Sequence, residues 1–319
     1  MDKPLISIVI CCHNRAHLLP QTMASVFNQI YRPVEIVVVD DGSTDNTPEL
    51  MEGYQGRIRY YWQKNQGIAV ARTAGGRLAK GEFIAYQDDD DLMVPNRLEH
   101  LYKALCRYPG AVLSLGDREI IDRDGKHIGE RVSSTVYPAE DKCMFISDAY
   151  RAILRGQVNP LPHTTLFRKT DGERIGWFDV RFFYGCEDTD FFLRIGELGP
   201  IVHVPEVVCY FRRGHESLTK DRTLMHYSRF LYFEKHLKWL AGRENEFREM
   251  LRTRLRNSME YITFHEDRYK KRPKGVPNDY VERGFALLGL KHRLLYRWTT
   301  LIKFPIRRFI DGFGRQVNK

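Results

Sequence analysis

Residues 83–91 read Phe-Ile-Ala-Tyr-Gln-Asp-Asp-Asp-Asp, a buried-strand pattern that runs directly into four carboxylates. A strand that ends in polar side chains places them at its carboxyl edge, where open α/β sheets bind their ligands. Four adjacent like charges repel one another, and a divalent cation that prefers oxygen ligands, Mg²⁺ or Mn²⁺, removes that conflict. The alternative interpretation is a solvated turn whose aspartates cap a helix that begins near Pro95.

Two upstream segments repeat this organisation. The β-branched runs at 5–10 and 34–39 predict strands buried on both faces, and polar residues follow each of them, at 11–15 and 40–45. Apolar residues at helical spacing follow both loops. Strands alternating with helices through short loops are typical of a doubly wound α/β layer. We therefore expect the three polar loops at one sheet edge, forming a cleft of nucleotide size.

The phosphate-binding motifs of two large nucleotide-binding classes are missing from this layer. The first strand is not followed by GxGxxG, and the chain contains no GxxxxGK[ST], which argues against a dinucleotide fold and a P-loop NTPase. An acidic residue after the second strand, Asp40 or Asp41, suits a ribose diol or a base N–H. The acidic cluster at 88–91 then lies where a diphosphate would be.

A second acidic segment lies at 182–194, where Glu187, Asp188 and Asp190 interrupt an aromatic and apolar stretch. Burial raises the pKa of a carboxyl group and makes it a better base, provided that it still reaches a substrate hydroxyl. The alternative is that Asp188 or Asp190 caps the helix that begins there. The residues alone leave both interpretations open.

Composition and charge bound the class of protein. The chain has 319 residues, of which 43% are hydrophobic, and its six cysteines show no CxxC or Cys/His ligand spacing, so neither a disulfide framework nor structural zinc is expected. We also expect no signal peptide, no transmembrane helix and a cytoplasmic protein. The whole chain has a net charge of +9. Residues 291–319 hold eight Lys or Arg and one acid, so most of this charge lies in the tail. The nearly neutral body argues against nucleic-acid binding.

The last third of the chain has a helical pattern from about residue 217 onward. In the tail, residues 291–319, apolar side chains share one helical stripe and most Arg and Lys side chains lie off it, while Pro305 interrupts the pattern. A basic amphipathic helix is typical of a membrane-surface anchor, here on an anionic membrane. The alternative is that the stripe packs on the rest of the protein.

The ordered set of motifs resembles the inverting GT-A glycosyltransferases of family 2 over about the first two-thirds of the chain. The motifs are SIVI at 7–10 with Asn14 and Arg15, VVDDGSTD at 38–45, NQG at 65–67 with Ala71 and Arg72, KGEFI at 80–84, DDDD at 88–91 with Pro95, NP at 159–160, HT at 163–164, FR at 167–168, IGWFD at 175–179, EDTDF at 187–191 with Arg194, and RRGH at 212–215. Two positions depart from the family pattern. His13 stands where a base-stacking tyrosine is common, and Thr73 stands where asparagine is common.

The resemblance implies an α/β GT-A fold, a Rossmann-like, mostly parallel sheet flanked by helices, with a helical C-terminal extension. The implied domains are a catalytic domain at 1–216, with a nucleotide-sugar half at about 1–110 and an acceptor half at about 111–216, and a helical region at 217–319. The implied activity is transfer of a hexose from a nucleoside-diphosphate sugar, UDP-sugar first, to a glycan or lipid-linked glycan. The enzyme would work at the inner face of the cytoplasmic membrane.

The resemblance also assigns site residues. Asp188 is the expected general base, with Glu187 beside it. The expected ligands of Mn²⁺ or Mg²⁺ are Asp90, Asp88 and His215. The nucleotide-sugar is expected to contact Cys12, His13, Arg15, Asp40, Asp41, Asn65, Gly67, Arg72, Asp88 and Asp89. The expected acceptor contacts are His163, Trp177 and Arg212.

Two other functions fit parts of the sequence. A nucleotidyltransferase also uses an acidic metal site on an α/β sheet, but it needs a phosphate loop rich in Gly, Arg or Lys, which we do not find. A non-catalytic module of the same fold would bind a nucleotide-sugar or a membrane surface without transfer. The acids Asp88, Asp90 and Asp188 favour an enzyme over such a module.

Overall fold

The computed structural model describes residues 3–137, 142–183, 185–214, 222–240, 245–269, 276–277, 279–288 and 290–300. The chain divides into two compact units. The N-terminal unit comprises Met1–Phe183 and Glu187–Glu216, and the C-terminal unit comprises Tyr184–Cys186 and Ser217–Lys319. Among the helices that the structure describes, none combines the length and apolar character needed to cross a bilayer.

The N-terminal unit is built on a ten-stranded sheet in the order β3-β2-β1-β4-β9-β6-β10-β5, with β7 beside β6 and β8 beside β10. The strands are β1 Ile6–Cys12, β2 Val34–Asp41, β3 Arg59–Gln63, β4 Phe83–Asp88, β5 Leu92–Met93, β6 Leu113–Ile121, β7 His127–Val132, β8 Met144–Ile146, β9 Thr165–Arg168 and β10 Ile201–Arg212. The predicted α/β fold is confirmed, but its sheet is mixed rather than mostly parallel.

The parallel part of the sheet aligns the predicted ligand loops. β1 is buried along its whole length, as its β-branched sequence predicts, and pairs in parallel with β2 on one side and β4 on the other. In this register Cys12 lies opposite Asp40, and Cys11 lies opposite Asp88. The ends of the three strands therefore meet at one edge.

Antiparallel strands extend the sheet beyond β4. β9 runs antiparallel to both β4 and β6, and β10 then pairs in parallel with β6. β6 runs from Leu113 to Ile121, and the chain then turns back into β7, which pairs antiparallel with it. Gly125 in that turn has φ +88°, which glycine adopts without strain.

The described helices lie on the N-terminal sheet or form the C-terminal unit. They are α1 Leu19–Phe27, α2 Thr47–Glu52, α3 Ile68–Leu78, α4 Arg97–Arg107, α5 Ala149–Arg155, α6 Lys169–Arg174, α7 Glu187–Gly196, α8 Arg222–Trp239, α9 Asn245–Tyr269, α10 Tyr280–Leu287 and α11 Leu290–Trp298, with a 3₁₀ turn at Pro162–Thr164. The C-terminal unit is helical, as predicted. A polar contact inside it joins Thr263 to the hydroxyls of Tyr280 and Tyr296 at 2.7 Å each.

Candidate active site

The loop after β1 is bonded to the loop after β2. Oδ1 of Asn14 accepts hydrogen bonds from the backbone N–H groups of Thr44 and Asp45, at 2.7 and 3.3 Å, and Ser43 Oγ accepts one from the N–H of Asn14. Asn14 has φ +54°, a left-handed conformation that asparagine tolerates. His13 Nε2 and Asn65 Nδ2 lie 3.2 Å apart, so two residues expected to contact the nucleotide-sugar come together.

Asp40 and Asp41 at the end of β2 organise the loops around them. Asp40 accepts hydrogen bonds from the Ser43 N–H at 2.8 Å and the Tyr60 hydroxyl at 2.6 Å. Asp41 accepts hydrogen bonds from the N–H groups of Gln66 and Gly67, at 3.0 and 2.8 Å. A nucleotide bound here would therefore meet acids that the fold already holds in place.

The acid loop, which we define as Asp88–Asp91, is held by a set of hydrogen bonds from Arg212, which we call the clamp. The backbone N–H of Arg212 donates to Oδ1 of Asp91 at 2.8 Å, and its Nε donates to the carbonyl of Asp90 at 2.8 Å. Its two other nitrogens donate to the carbonyl of Arg123 and to Gln21. Arg212 and Asp91 are both buried, so this clamp holds the course of the loop.

Asp88 lies between two basic side chains. Its Oδ1 accepts a hydrogen bond from Nη2 of Arg72 at 2.9 Å, and its Oδ2 lies 2.7 Å from Nδ1 of His163. Burial alone would raise the pKa of Asp88, but the charge of Arg72 and the hydrogen bond from His163 outweigh it and hold the pKa well below its usual value. Asp88 is therefore ionised at neutral pH.

Asp89 and Asp91, in the same loop as Asp88, are repelled by neighbouring carboxylates, and their protein partners do not fully offset this repulsion. Burial and the charge of Asp90 raise the pKa of Asp89 well above its usual value, and Arg15 at 3.8 Å opposes this only in part. Burial and the charges of Asp90 and Asp88 likewise raise the pKa of Asp91. A divalent cation at the loop would relieve this repulsion, so the donor set fits Mn²⁺ or Mg²⁺.

The second acidic segment begins α7, on the other side of Arg72. Glu187 is buried, and its Oε1 accepts a hydrogen bond from Nη1 of Arg72 at 2.8 Å. Burial and the charge of Asp188 raise the pKa of Glu187 to about 7, although Arg72 opposes them. Asp188 is partly exposed and accepts a hydrogen bond from the N–H of Thr189 at 2.6 Å.

An aromatic cluster fixes α7 against the sheet. The rings of Phe178 and Phe191 stack with centroids 4.1 Å apart, and Tyr86 on β4 meets Phe178 edge to face at 5.3 Å. Asp190, one turn into α7, is fully buried and pairs with Nε of Arg194 at 2.8 Å. Asp190 therefore has a structural partner, whereas Asp188 is partly exposed.

A second group of metal-ligand types includes Asp91, the last residue of the acid loop. One ligand atom each from Asp91, His163 and Cys209 falls within 4.8 Å of the others. All three residues are buried, and the His163 ring already contacts Asp88 and stacks on Phe211 with centroids 5.4 Å apart. We interpret this group as a support for the acid loop, whose partly exposed carboxylates offer the accessible oxygen ligands.

Comparison with known families decides the class of this site. Residues 7–176 match the model of the family described as Glycosyl transferase family 2. The chain belongs to glycosyl transferase family 2. The resemblance inferred from the ordered motifs is thereby confirmed, and the edge that carries the acid loop and Glu187 is the candidate active site of a family 2 glycosyltransferase.

Similar proteins are glycosyltransferases by name. An uncharacterized glycosyltransferase of Rickettsia typhi is 27% identical over 224 residues, which cover 70% of this chain and 68% of that protein. The chondroitin synthase of Escherichia coli is 26% identical over 225 residues, 69% of this chain but only 30% of the synthase.

Similar solved structures include S. aureus TarS 1–349 in complex with UDP. The match has a TM-score of 0.60 at 17% sequence identity, and it covers 98% of this chain and 91% of the TarS chain. The same TarS fragment has also been solved with UDP-GlcNAc. At this level of identity the likeness shows the fold, and it confirms the GT-A architecture of the family 2 chain.

Three residues of this glycosyltransferase lie elsewhere than the sequence led us to expect. Trp177 is 3% exposed and packs between Gly76 and Gly172, so its ring is not presented to an acceptor. Arg212 is 1% exposed and commits its side chain to the clamp, so an acceptor contact is not supported either. His163 lies under Asp88. His215, an expected metal ligand, lies outside the described residues.

The expected role of Arg72 at the nucleotide is also not supported. Arg72 is 7% exposed, and both terminal nitrogens of its guanidinium bond carboxylates, Asp88 and Glu187. Cys12 is 3% exposed and its thiol donates to the carbonyl of Val39 at 3.7 Å, so a contact of the thiol with the nucleotide is not supported. The remaining nucleotide residues lie on the loops at the sheet edge, as the topology requires.

Sequence reasoning missed Arg97, which supports the site from inside the protein. Arg97 is fully buried at the start of α4, and it donates to Gln87 Oε1 and to the Tyr86 carbonyl, both at 2.8 Å. It also reaches the Pro162 carbonyl at 3.3 Å, in the turn that carries His163. Burial lowers the pKa of Arg97 to about 10. Its sequence context, the first turn of an amphipathic helix, carries no sign of this role.

Proposed function

We propose that this family 2 chain is a metal-dependent, inverting glycosyltransferase that moves a sugar from a UDP-sugar to a hydroxyl of a glycan or lipid-linked glycan. The observation that carries the proposal is the pair of contacts made by Arg72, to Asp88 at 2.9 Å and to Glu187 at 2.8 Å. They bring a loop suited to a metal and a diphosphate next to a dipeptide that offers a base. A metal-dependent, inverting transfer from a nucleoside-diphosphate sugar uses both.

Asp188 is the proposed general base. It is partly exposed, whereas Glu187 beside it is buried, so Asp188 is the carboxylate that an acceptor can reach. Asp188 would take the proton of the acceptor hydroxyl while that oxygen attacks the anomeric carbon. The bond from that carbon to the UDP oxygen breaks on the opposite face, so UDP leaves. A single displacement of this kind inverts the anomeric configuration, as in inverting glycosidases.

Asp90 and Asp88 are the proposed ligands of Mn²⁺ or Mg²⁺. Both oxygens of Asp88 have protein partners, but each carboxylate oxygen carries a second lone pair for a cation. When bound, the ion would neutralise charge on the diphosphate leaving group, a Lewis-acid role. The resemblance adds His215 to this ligand set. Asp89 is held by Arg15 and is proposed to face the donor beside them.

The nucleoside is proposed to lie against the loops after β1 and β2, with His13 and Asn65 closest to the base. Asp40, Asp41 and Gly67 shape that pocket through their hydrogen bonds, and Cys12 and Arg15 flank it. The likeness to TarS, solved with UDP and with UDP-GlcNAc, favours a UDP-sugar as the donor.

We also propose that the tail contacts an anionic membrane, where a lipid-linked acceptor would be presented. In the described part of the tail, α11 turns His292 and Tyr296 inward, while Leu294 and Leu295 are 58% and 38% exposed. Lys291, Arg293 and Arg297 are exposed on the same helix. Exposed leucines flanked by cations favour binding to an anionic lipid surface. The rest of the apolar stripe, at 301–319, lies outside the described residues.

The test is thermal stabilisation by UDP, GDP, dTDP and CMP, each with and without Mn²⁺. Ligands that bind only the native state raise its stability by mass action. We expect stabilisation by UDP that depends on Mn²⁺ and is lost on chelation. The Asp90→Asn variant should lose it, whereas Asp124→Asn, the same change in an exposed turn, should keep it. If none of the four nucleotides raises the Tm, with or without Mn²⁺, the proposal is overturned.

The alternative is a non-catalytic module that binds the nucleotide-sugar. Such a module would show the same stabilisation, but it would not release UDP from UDP-sugar in the presence of an acceptor. Metal-dependent release of UDP that rises with acceptor concentration therefore separates an enzyme from a binding module.

A further inference from the structure

Arg72 touches both acidic parts of the candidate active site. It is carried by α3, which packs on β1 and β2. One terminal nitrogen bonds Asp88 at the end of β4, and the other bonds Glu187 at the start of α7, 115 residues away in sequence. Two elements that are remote in the chain are thus joined through one planar group.

The protein holds this guanidinium in place from behind. The Tyr86 hydroxyl donates a hydrogen bond to the carbonyl of Arg72 at 2.8 Å, which fixes the backbone. The face of Phe178 lies 5.7 Å from the guanidinium carbon, and Phe178 stacks on Phe191 of α7. Arg72 therefore has little freedom to follow a carboxylate that moves.

Planarity matters for this bridge. Arginine presents its donors in a rigid fork, so it can bond two carboxylates in fixed directions at the same time. Lysine carries the same charge as a single point on a flexible stem and does not reproduce that fork. A lysine at position 72 would keep the electrostatics largely intact while losing the fixed separation between Asp88 and Glu187.

We propose that Arg72 is a positioning residue, which sets the distance between the donor side and the base side of the active site. This inference rests on the proposed function. Asp88 belongs to the loop that would hold the diphosphate, and Glu187 precedes Asp188, the proposed base. Holding the two acids at one guanidinium keeps Asp188 aimed at the anomeric carbon. Arg72 acts on turnover through this alignment rather than on nucleotide affinity.

The experiment compares Arg72→Lys with the wild type in two measurements: kcat for UDP-sugar turnover, and the Kd for UDP with Mn²⁺ by calorimetry. Misplacement of reacting groups by about 1 Å costs on the order of 100-fold in rate. We expect kcat to fall about 10- to 100-fold, whereas the Kd for UDP changes less than about threefold. Arg151→Lys is the matched control at an exposed ion pair, and both of its values should stay unchanged.

Two outcomes would overturn the inference. An unchanged kcat would show that the bridge is not needed, and a Kd that rises as much as kcat falls would place Arg72 on the donor instead. UDP binding also reports that the variant is folded. Should Arg72→Lys not fold, Glu187→Leu decides in its place: it removes the acceptor of the Arg72 hydrogen bond at similar side-chain volume, and retention of full kcat would equally overturn the inference.

A double-mutant cycle tests whether Arg72 and Glu187 act as one unit. If they do, the double variant loses little more kcat than the more damaged single variant. Losses that multiply would contradict the positioning role. A wild type that transfers no sugar would instead overturn the proposed function, an outcome distinct from an active wild type with a fully active Arg72→Lys.

Discussion

Nδ1 of His163 lies 2.7 Å from Oδ2 of Asp88, although the two residues are 75 positions apart in the chain. The sequence led us to expect His163 among the acceptor contacts. Instead it is 3% exposed and lies under the acid loop, also 3.3 Å from Oδ2 of Asp91. His163 therefore supports a carboxylate that the proposed metal would use.

Replacing His163 by alanine should weaken metal-dependent binding of UDP. Groups that orient a metal ligand from behind typically contribute about 10- to 100-fold to metal affinity. We expect a loss of that size in the Kd for UDP measured by calorimetry at fixed Mn²⁺. His127→Ala, at an exposed histidine that pairs with Glu119, is the control. An unchanged Kd would show that Asp88 holds its position without the ring.

The raised pKa of Glu187 predicts a pH dependence of stability. Its pKa rises from 4.5 in the unfolded chain to about 7 in the native state, so between these values the native protein binds the extra proton. Stability through this group is therefore full below about pH 4.5 and falls as pH rises through 7. Glu187→Gln mimics the protonated form at every pH. The Tm of Glu187→Gln minus that of the wild type should thus become more positive from pH 5 to pH 8; a constant difference would contradict the assignment.

Gly76→Ala should destabilise the protein, although alanine normally favours a helix over glycine by about 1 kcal/mol. A Cβ at position 76 would lie 2.4 Å from Cζ3 of Trp177 and 2.7 Å from the Tyr86 hydroxyl. Overpacking of this kind costs about 1–3 kcal/mol, measured as the free energy of unfolding in urea. Trp177→Phe replaces the indole with a smaller ring and so makes room for the new Cβ. The double variant should therefore lose less stability than the two single losses combined. Additive losses would show that the destabilisation by Gly76→Ala does not come from its contact with Trp177.

Leu294→Ser with Leu295→Ser should weaken binding to vesicles that contain anionic lipid. Both leucines are exposed, so their replacement is expected to leave the Tm nearly unchanged. Co-sedimentation with vesicles of mixed anionic and zwitterionic lipid measures the effect. Ile128→Ser with Val136→Ser, which removes two exposed apolar residues from the N-terminal unit, is the control. Equal binding by both double variants would rule out a role for α11.

The local elements followed from sequence because their signals are local. The strand of the opening stretch runs into the acid loop, as predicted, and ends at Asp88. The β-branched run of β1 indicated a strand buried on both faces, which it is, and the polar residues after the run marked its end. These signals also predict three polar loops at one edge of the sheet, which is why the position of the acid loop follows from the sequence alone.

The contacts across the site did not follow from sequence, because each joins segments that are distant in the chain. Nothing near Arg72 indicates that its two partners lie 16 and 115 residues away. The antiparallel insertion of β9 beside β4 brings the turn of His163 under the acid loop, and a four-residue strand gives little periodic signal. Partners of this kind are set by the sheet topology rather than by local sequence.

The most direct test of the proposed transfer is the rate of UDP release from UDP-sugar by Asp188→Asn, with Mn²⁺ and a glycan acceptor that the wild type uses. We expect the wild type and the control Asp124→Asn to turn over equally. Asp188→Asn should lose at least about 100-fold in kcat, the lower end of what a general base contributes, while it still binds UDP. Near-normal turnover by Asp188→Asn with the same acceptor would contradict the assignment of Asp188 as the base.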